Sequence, residues 1–256
     1  MNLAECHERL ANIPDLGPMS EPLSVLEMVE RHRVFWRPST VRVILLAESH
    51  VYTSAEELNY KIQKPYCQPN GFPNGFVRLV YCLGYGENGI LSRPISTPRN
   101  TGTPQYWKIF YSCLHPITQN SDFGPIQSSR TPETAKRLCN KIQLLKALQA
   151  LGIWLLDASI AALYRPGKPK PSRRTIRDAI ETSWDCCVGR LIQDAKPEAI
   201  VCIGKEVKEA LKSRLDSLKC ARHFLPQPNA RLSASEHMEN FRRYYEICQN
   251  PRSARD

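Results

Sequence analysis

Long apolar runs are missing from this chain. No stretch of about 18 apolar residues occurs, so no transmembrane helix is expected. The opening stretch, Met1-Asn-Leu-Ala-Glu-Cys-His-Glu-Arg9, is polar and lacks the short apolar core of a signal peptide. The expected compartment is therefore the cytoplasm, with no membrane partner. No Cys-x-x-Cys occurs among the ten cysteines, so neither a zinc site nor an iron–sulfur cluster is expected. There is no Gly-x-Ser-x-Gly nucleophile elbow, which argues against an α/β-hydrolase. Internal repeats and a phosphate-binding glycine loop are also absent. Gly84-x-Gly86-x-x-Gly89 fits part of a dinucleotide fingerprint, but it follows an apparent helix instead of a strand and is discounted.

What is present suits one large domain of 256 residues, 42% hydrophobic and 23% charged, able to bury a real core. The cysteines are scattered, and several sit in apolar patterns, such as Cys202 within Ala199-Ile-Val-Cys-Ile-Gly204. Reduced, buried thiols are the expectation. The net charge of +10 attracts polyanions without specifying which. DNA, RNA and anionic membrane stay open on charge alone, beside the plainer reading of a solvated basic surface.

Residues 1–40 read as two helical segments, the second running from Pro22 to Phe35 after Ser20. Val41-Arg-Val-Ile-Leu-Leu-Ala47 reads as a buried strand. Residues 50–75 carry turn chemistry, and 76–84 read as a short helix closing at Gly84. A long Pro/Asn/Ser/Thr/Gly-rich connection over 86–131 holds an apolar island at 107–114. Thr131-Pro-Glu opens the clearest helix, with Thr131 as N-cap, and Gly152 ends it. Ile153-Trp-Leu-Leu-Asp157 is a second strand. A basic, proline-rich loop over 164–174 precedes one helix through Ala195. Ala199–Gly204 is a third strand followed by a helix. Cys220–Leu225 is a fourth, edge strand, and Ser233-x-x-Glu236 is a capping box opening the last helix. Strands alternating with helices imply an α/β fold, a single domain with a central, mostly parallel four-stranded sheet flanked by helices.

Ligands in such sheets bind at the carboxyl ends of the strands. That rule selects Ala47-Glu-Ser-His50, Asp157-Ala-Ser159, Gly204-Lys205 and Pro226-Gln-Pro-Asn229. Their order and spacing over residues 40–232 resemble the motif frame of the uracil-DNA glycosylase superfamily. Leu46-Ala-Glu-Ser-His-Val51 fills the slot of the family's first motif. Leu155-Leu-Asp157 matches a strand ending Leu-Leu-Asn, and Lys196–Gly204 matches the strand that ends in glycine. Leu225-Pro-Gln-Pro228 stands where His-Pro-Ser-Pro is typical, and Pro73-Asn-Gly-Phe76 resembles the Asn-x-Phe stretch of the mismatch-specific branch. The likeness is nearest to an atypical bacterial member with divergent motifs. Three departures stand out: Ser49 replaces an acid, Asp157 replaces the uracil-reading Asn, and Leu225 replaces a histidine.

The resemblance implies a metal-independent, cofactor-free glycosylase that flips uracil out of DNA, cuts its N-glycosidic bond and leaves an abasic site. It implies a DNA partner, a monomer and a bacterial cytosolic setting. The alternative on the same fold is a non-catalytic or weakly catalytic binder of damaged or abasic DNA. Among the first-motif residues Glu48, Ser49 and His50, Glu48 is the candidate for placing water, against a plain loop acid. His50 is the candidate donor to the leaving base, against an incidental histidine. Asp157 is expected to meet uracil's amide edge beside Ala47, accepting from N3–H or, if burial raises its pKa, donating to O4, against a helix N-cap or turn role. Phe72, Phe76 and Tyr66 compete for stacking on the base, with Phe72 favoured and core packing as the alternative for each. Arg165, Lys168, Lys170, Arg173, Arg174 and Arg177 form a proline-stiffened basic strip expected to track DNA phosphates, against a solvated loop. Pro226, Gln227, Asn229 and Arg231 complete the expected DNA-facing set, with Leu232 or Arg231 filling the gap left by the flipped base.

Overall fold

The computed structural model describes residues 2–17, 20–63, 69–93, 95 and 103–252. Two helices, α1 (Leu3–Ala11) and α2 (Leu23–Phe35), precede the first strand. The strands are β1 (Val43–Ala47), β2 (Ile153–Asp157), β3 (Ala199–Ile203) and β4 (Ala221–Leu225). They form one sheet in the order β2-β1-β3-β4, and every pairing is parallel. The fold is thus α/β with a four-stranded parallel sheet between helices. All residues of β1, β2 and β3 are buried, as both faces are covered. Of the two edge strands, β2 is buried throughout and β4 only in part.

Helices α3 (Ala55–Leu58), α4 (Thr103–Leu114) and α5 (Thr134–Ala150) lie between β1 and β2. The apolar island at 107–114 is therefore the second half of a helix. α6 (Arg173–Ser183) and α7 (Gly189–Ala195) lie between β2 and β3, α8 (Lys205–Asp216) follows β3, and α9 (Ala234–Gln249) closes the chain. Ser233 and Glu236 form the expected capping box at α9. Gly152 takes φ +75, and a Cβ there would lie 2.7 Å from the Thr40 carbonyl oxygen, so the turn from α5 into β2 requires glycine.

Four local expectations need correction. Residues 76–84 form turns instead of a helix, because their amides are already committed. Phe76 N–H donates to the Tyr60 carbonyl and Arg78 N–H to Thr53 Oγ1. Thr131 does not cap α5; its hydroxyl donates to the Gly124 carbonyl at 2.8 Å, and the helix begins at Thr134. The helix through Ala195 is broken by a π-helical turn at Trp184–Val188. Finally, eight of the ten cysteines are free thiols, but Cys139 is disulfide-bonded. It sits half-exposed on α5, outside the apolar core that shelters most of the others. Among the described residues, no helix is long and apolar enough to cross a membrane.

Candidate active site and DNA-facing edge

Leaving β1, the chain turns toward β2; leaving β3, it turns toward β4. The crevice between the ends of β1 and β3 is the topological switch point, where open parallel sheets bind ligands. Glu48 follows β1 directly, and it is buried. Its backbone is fixed by the β2 side, since Ala158 N–H donates to the Ala47 carbonyl at 2.7 Å and Ser159 N–H to that of Glu48 at 3.0 Å. Its carboxylate is held by two neutral donors from other segments. Tyr164 Oη donates to Oε1 at 2.5 Å, and Gln227 Nε2 donates to Oε2. Gln227 reaches Glu48 past Gly204, which has φ +104. A Cβ on that glycine would lie 2.7 Å from Gln227 Cγ. The glycine ending β3 thus leaves room for the side chain that orients Glu48.

Asp157 is the register partner of Ala47. Its Oδ2 accepts from Arg33 at 2.8 Å and from His50 Nδ1 at 3.2 Å. The other ring nitrogen of His50 donates to Glu21 at 2.7 Å, and Arg33 also pairs with Glu30 at 2.5 Å. Glu21 further accepts the Thr53 and Ala162 amides at 2.6 and 3.1 Å. A buried chain of alternating charge results: Glu30, Arg33, Asp157, His50, Glu21. Burial alone would lower the pKa of His50, but the Glu21 charge and the bonds to Asp157 and Glu21 raise it to about 9. The ring is therefore an imidazolium at neutral pH, with both N–H groups in use. Burial would raise Asp157, yet the His50 hydrogen bond and the Arg33 charge hold it below the usual 3.8. This corrects two expectations. Asp157 is an ionised acceptor, with no raised pKa, and His50 has no free N–H to give a leaving base.

Ala47, Ser49, His50 and Asp157 do come together, lining a cavity of about 50 Å³ with Tyr106 and Leu155. A space of that size admits a few water molecules. Ser49 Oγ donates to the His50 carbonyl at 3.0 Å and accepts from the Leu163 amide at 3.2 Å, so it shapes the loop. Burial and the charges of Asp157 and Glu48 push the Tyr106 phenol up, keeping it protonated as a donor. The Tyr164 phenol is raised likewise, by burial and by Glu48.

The favoured stacking residue is elsewhere. Phe72 packs edge-to-face against His32, Phe35 and Trp36 beside α2, and does not line the cavity. Phe76 is fully buried against Tyr85. Tyr66 lies outside the described residues. Within the cavity, the aromatic rings are Tyr85 and Tyr106. Tyr106 was missed because its helix hid in the proline-rich connection. Arg33 and Glu21 were missed because nothing local marks a charged residue on a short helix or before it as buried.

The basic strip divides in two. Residues 165–172 are non-helical and mostly exposed, whereas Arg173, Arg174 and Arg177 lie on α6, which starts where Ser172 caps the Thr175 amide. The loop expected over 164–174 therefore ends two residues early. Arg165 stacks on Tyr52 at 4.4 Å, and Lys170 lies over the Tyr164 ring at 5.3 Å. Lys168 is exposed. Arg173 and Arg174 are 76% and 91% exposed and pair loosely with Glu206 and Asp178 at 3.6 and 3.8 Å. Arg177 meets Glu209 at 3.3 Å. Asn229 and Arg231 sit exposed in the turn after β4, with Pro226 and Leu232 half-buried beside them.

Among the described residues, no group of three or more His, Cys, Asp or Glu is placed to hold a metal ion. The chain matches no protein-family model and no curated protein.

Proposed function

We propose that the protein is a metal-independent glycosylase that excises uracil from DNA, with Glu48 as the carboxylate that positions water. The observation carrying this reading is the linkage at the switch point. Glu48 is joined through Tyr164 to the basic strip, since Tyr164 bonds its carboxylate and Lys170 lies over the same ring. A buried acid held by neutral donors thus lies beside an exposed cationic track. That pairing suits a reaction on a phosphate-bearing polymer.

In the reaction, the bond from the sugar C1′ to uracil N1 breaks and its electron pair leaves with the base. Water adds to C1′ and passes a proton to Glu48, and solvent later protonates the uracil anion. The base must widen the 50 Å³ cavity to enter. Tyr106 and Tyr85 line that route and provide ring faces for the flipped base.

A second reading rests on the closed state of the same cavity. With both N–H groups of His50 and the Oδ2 of Asp157 engaged, the fold suits a binder of abasic or damaged DNA that does no chemistry. Incubation of the purified chain with uracil-containing DNA and a chelator, followed by alkaline cleavage, separates the two. Strand breaks at uracil support the glycosylase. Binding without breaks at high protein excess supports the binder.

A further inference from the structure

A second buried ion cluster lies on the other side of α4, away from the strand ends. Glu87 accepts from Arg137 at 2.7 and 2.5 Å and from Lys141 at 2.6 Å. All three residues are buried. One carboxylate therefore faces two cations. A third, the half-buried Lys108, lies over the Phe123 ring at 5.5 Å, with no carboxylate in pairing range among the described residues. Uncompensated charge is costly away from water unless a counter-charge joins it. Burial lowers the Lys141 pKa in spite of Glu87, and burial lowers that of Lys108 too.

These cations surround space. Lys108, Arg137 and Lys141 line a cavity of about 270 Å³ with Gln105 and Trp107, and Ser128 and Ser129 stand at its exposed rim. Trp107 is 3% exposed, and its indole Nε1 is buried without a hydrogen-bond partner. A buried N–H left unpaired is uncommon, and this one belongs to a residue that lines the cavity. The ring also lies under Lys141 Nζ at 4.9 Å. Surplus positive charge, an orphaned donor and room for a ligand coincide here, and among the described residues the wall offers one acid, Glu87.

We infer that this cavity is an oxyanion site that takes a phosphoryl group, with Lys108, Lys141 and Arg137 supplying charge and Trp107 Nε1 an additional donor. The source of the phosphoryl group is either a DNA terminus or a small phosphate compound. Adjacent residues of α4 serve the two sites, Tyr106 at the strand-end cavity and Trp107 here. The assignment does not depend on uracil excision.

Calorimetric titration of the full chain with inorganic phosphate, in a phosphate-free buffer, tests it. Saturable binding is expected, weakened roughly tenfold in Lys108→Gln, where one charge-assisted contact is lost. Lys108 is only half-buried, so this variant keeps the fold. Trp107→Phe removes only the N–H donor and is expected to weaken phosphate severalfold. Titration with 5′-phosphorylated and 5′-hydroxyl oligonucleotides distinguishes the sources. Preference for the phosphorylated strand, competed by phosphate, identifies a DNA end. Phosphate binding with no such preference identifies a small compound. Absence of saturable binding below about 10 mM phosphate, or equal affinity in wild type, Lys108→Gln and Trp107→Phe, overturns the site.

Discussion

Two carboxylates stand at neighbouring strand ends, and the chain treats them differently. Asp157, after β2, is gripped by Arg33 and by a histidine that its neighbours keep protonated. Glu48, after β1, is held by a phenol and an amide, both neutral. A carboxylate between two cations is held as an anion, with Oδ2 taking both bonds, which ties it to the architecture. A carboxylate oriented by neutral donors has no cation seated on it and faces the switch point with its geometry fixed, which suits the placing of a water molecule. The difference agrees with the first-motif expectation of Glu48 as the water-placing acid and sets Asp157 apart from it as part of a buried ion chain.

The sharpest way to break this comparison is to neutralise each acid in turn. Asp157→Asn restores the residue typical of the resembled family, yet here it takes a shared carboxylate from two buried cations, leaving Arg33 with Glu30 and His50 with Glu21. Weakening two charge-assisted bonds costs on the order of 2–3 kcal/mol, so chemical denaturation is expected to show a clear loss of stability. Glu48→Gln keeps the shape and removes a charge that no cation balances directly. Its stability is expected to stay within about 1 kcal/mol of wild type. If the two variants lose similar stability, the two acids are not different in kind.

A second effect follows from the buried histidines. His50 has a folded pKa raised from 6.5 to about 9, so its stabilisation is complete below 6.5 and lost as pH rises through 9. His32 has one lowered from 6.5 to about 4 by burial, so its contribution is present above 6.5 and lost as pH falls toward 4. The opposed signs place maximum stability near pH 6.5. The alkaline loss is on the order of 3 kcal/mol by pH 9. Thermal melts across pH 4–9 check this, and His50→Gln is expected to flatten the alkaline limb.

Smaller effects are expected from the third and fourth comparisons. Gly204→Ala pushes Gln227 off Glu48 and is expected to lower excision about tenfold with DNA affinity retained, read from rates against binding. Arg173→Ala with Arg174→Ala removes two exposed cations from weak surface pairs, so folding stability hardly changes. If both touch phosphate, the slope of log affinity against log salt falls by up to about 2, equally for uracil-containing and normal duplexes. An unchanged slope moves the DNA track toward Arg222 and Arg231.

The sheet was legible because its strands are short runs of Val, Ile and Leu between helical segments, and β2 falls at the residues expected. Capping chemistry located α9, and the order of the strand-end motifs located Glu48, His50 and Asp157 at one edge. The roles of His50 and Asp157 were not legible. They depend on Arg33 and Glu21, which are 124 and 29 residues away from the groups they bond. The same distance hid the bond from Gln227 to Glu48, which spans 179 residues. Gln227 was expected at the DNA, and its bond to the acid is a role the expectation did not include. Phe72 failed as a stacking ring because a glycine–proline loop need not face solvent; α2 presented His32, Phe35 and Trp36 to cover it.

The central claim is that Glu48 positions water for uracil excision without a metal. Single-turnover cleavage of uracil-containing DNA, with chelator present, by wild type and Glu48→Gln tests it most directly. The account expects wild type to generate abasic sites and Glu48→Gln to be slower by roughly a hundredfold, about 3 kcal/mol at the transition state, with unchanged DNA affinity. Equal rates in the two folded proteins would contradict it.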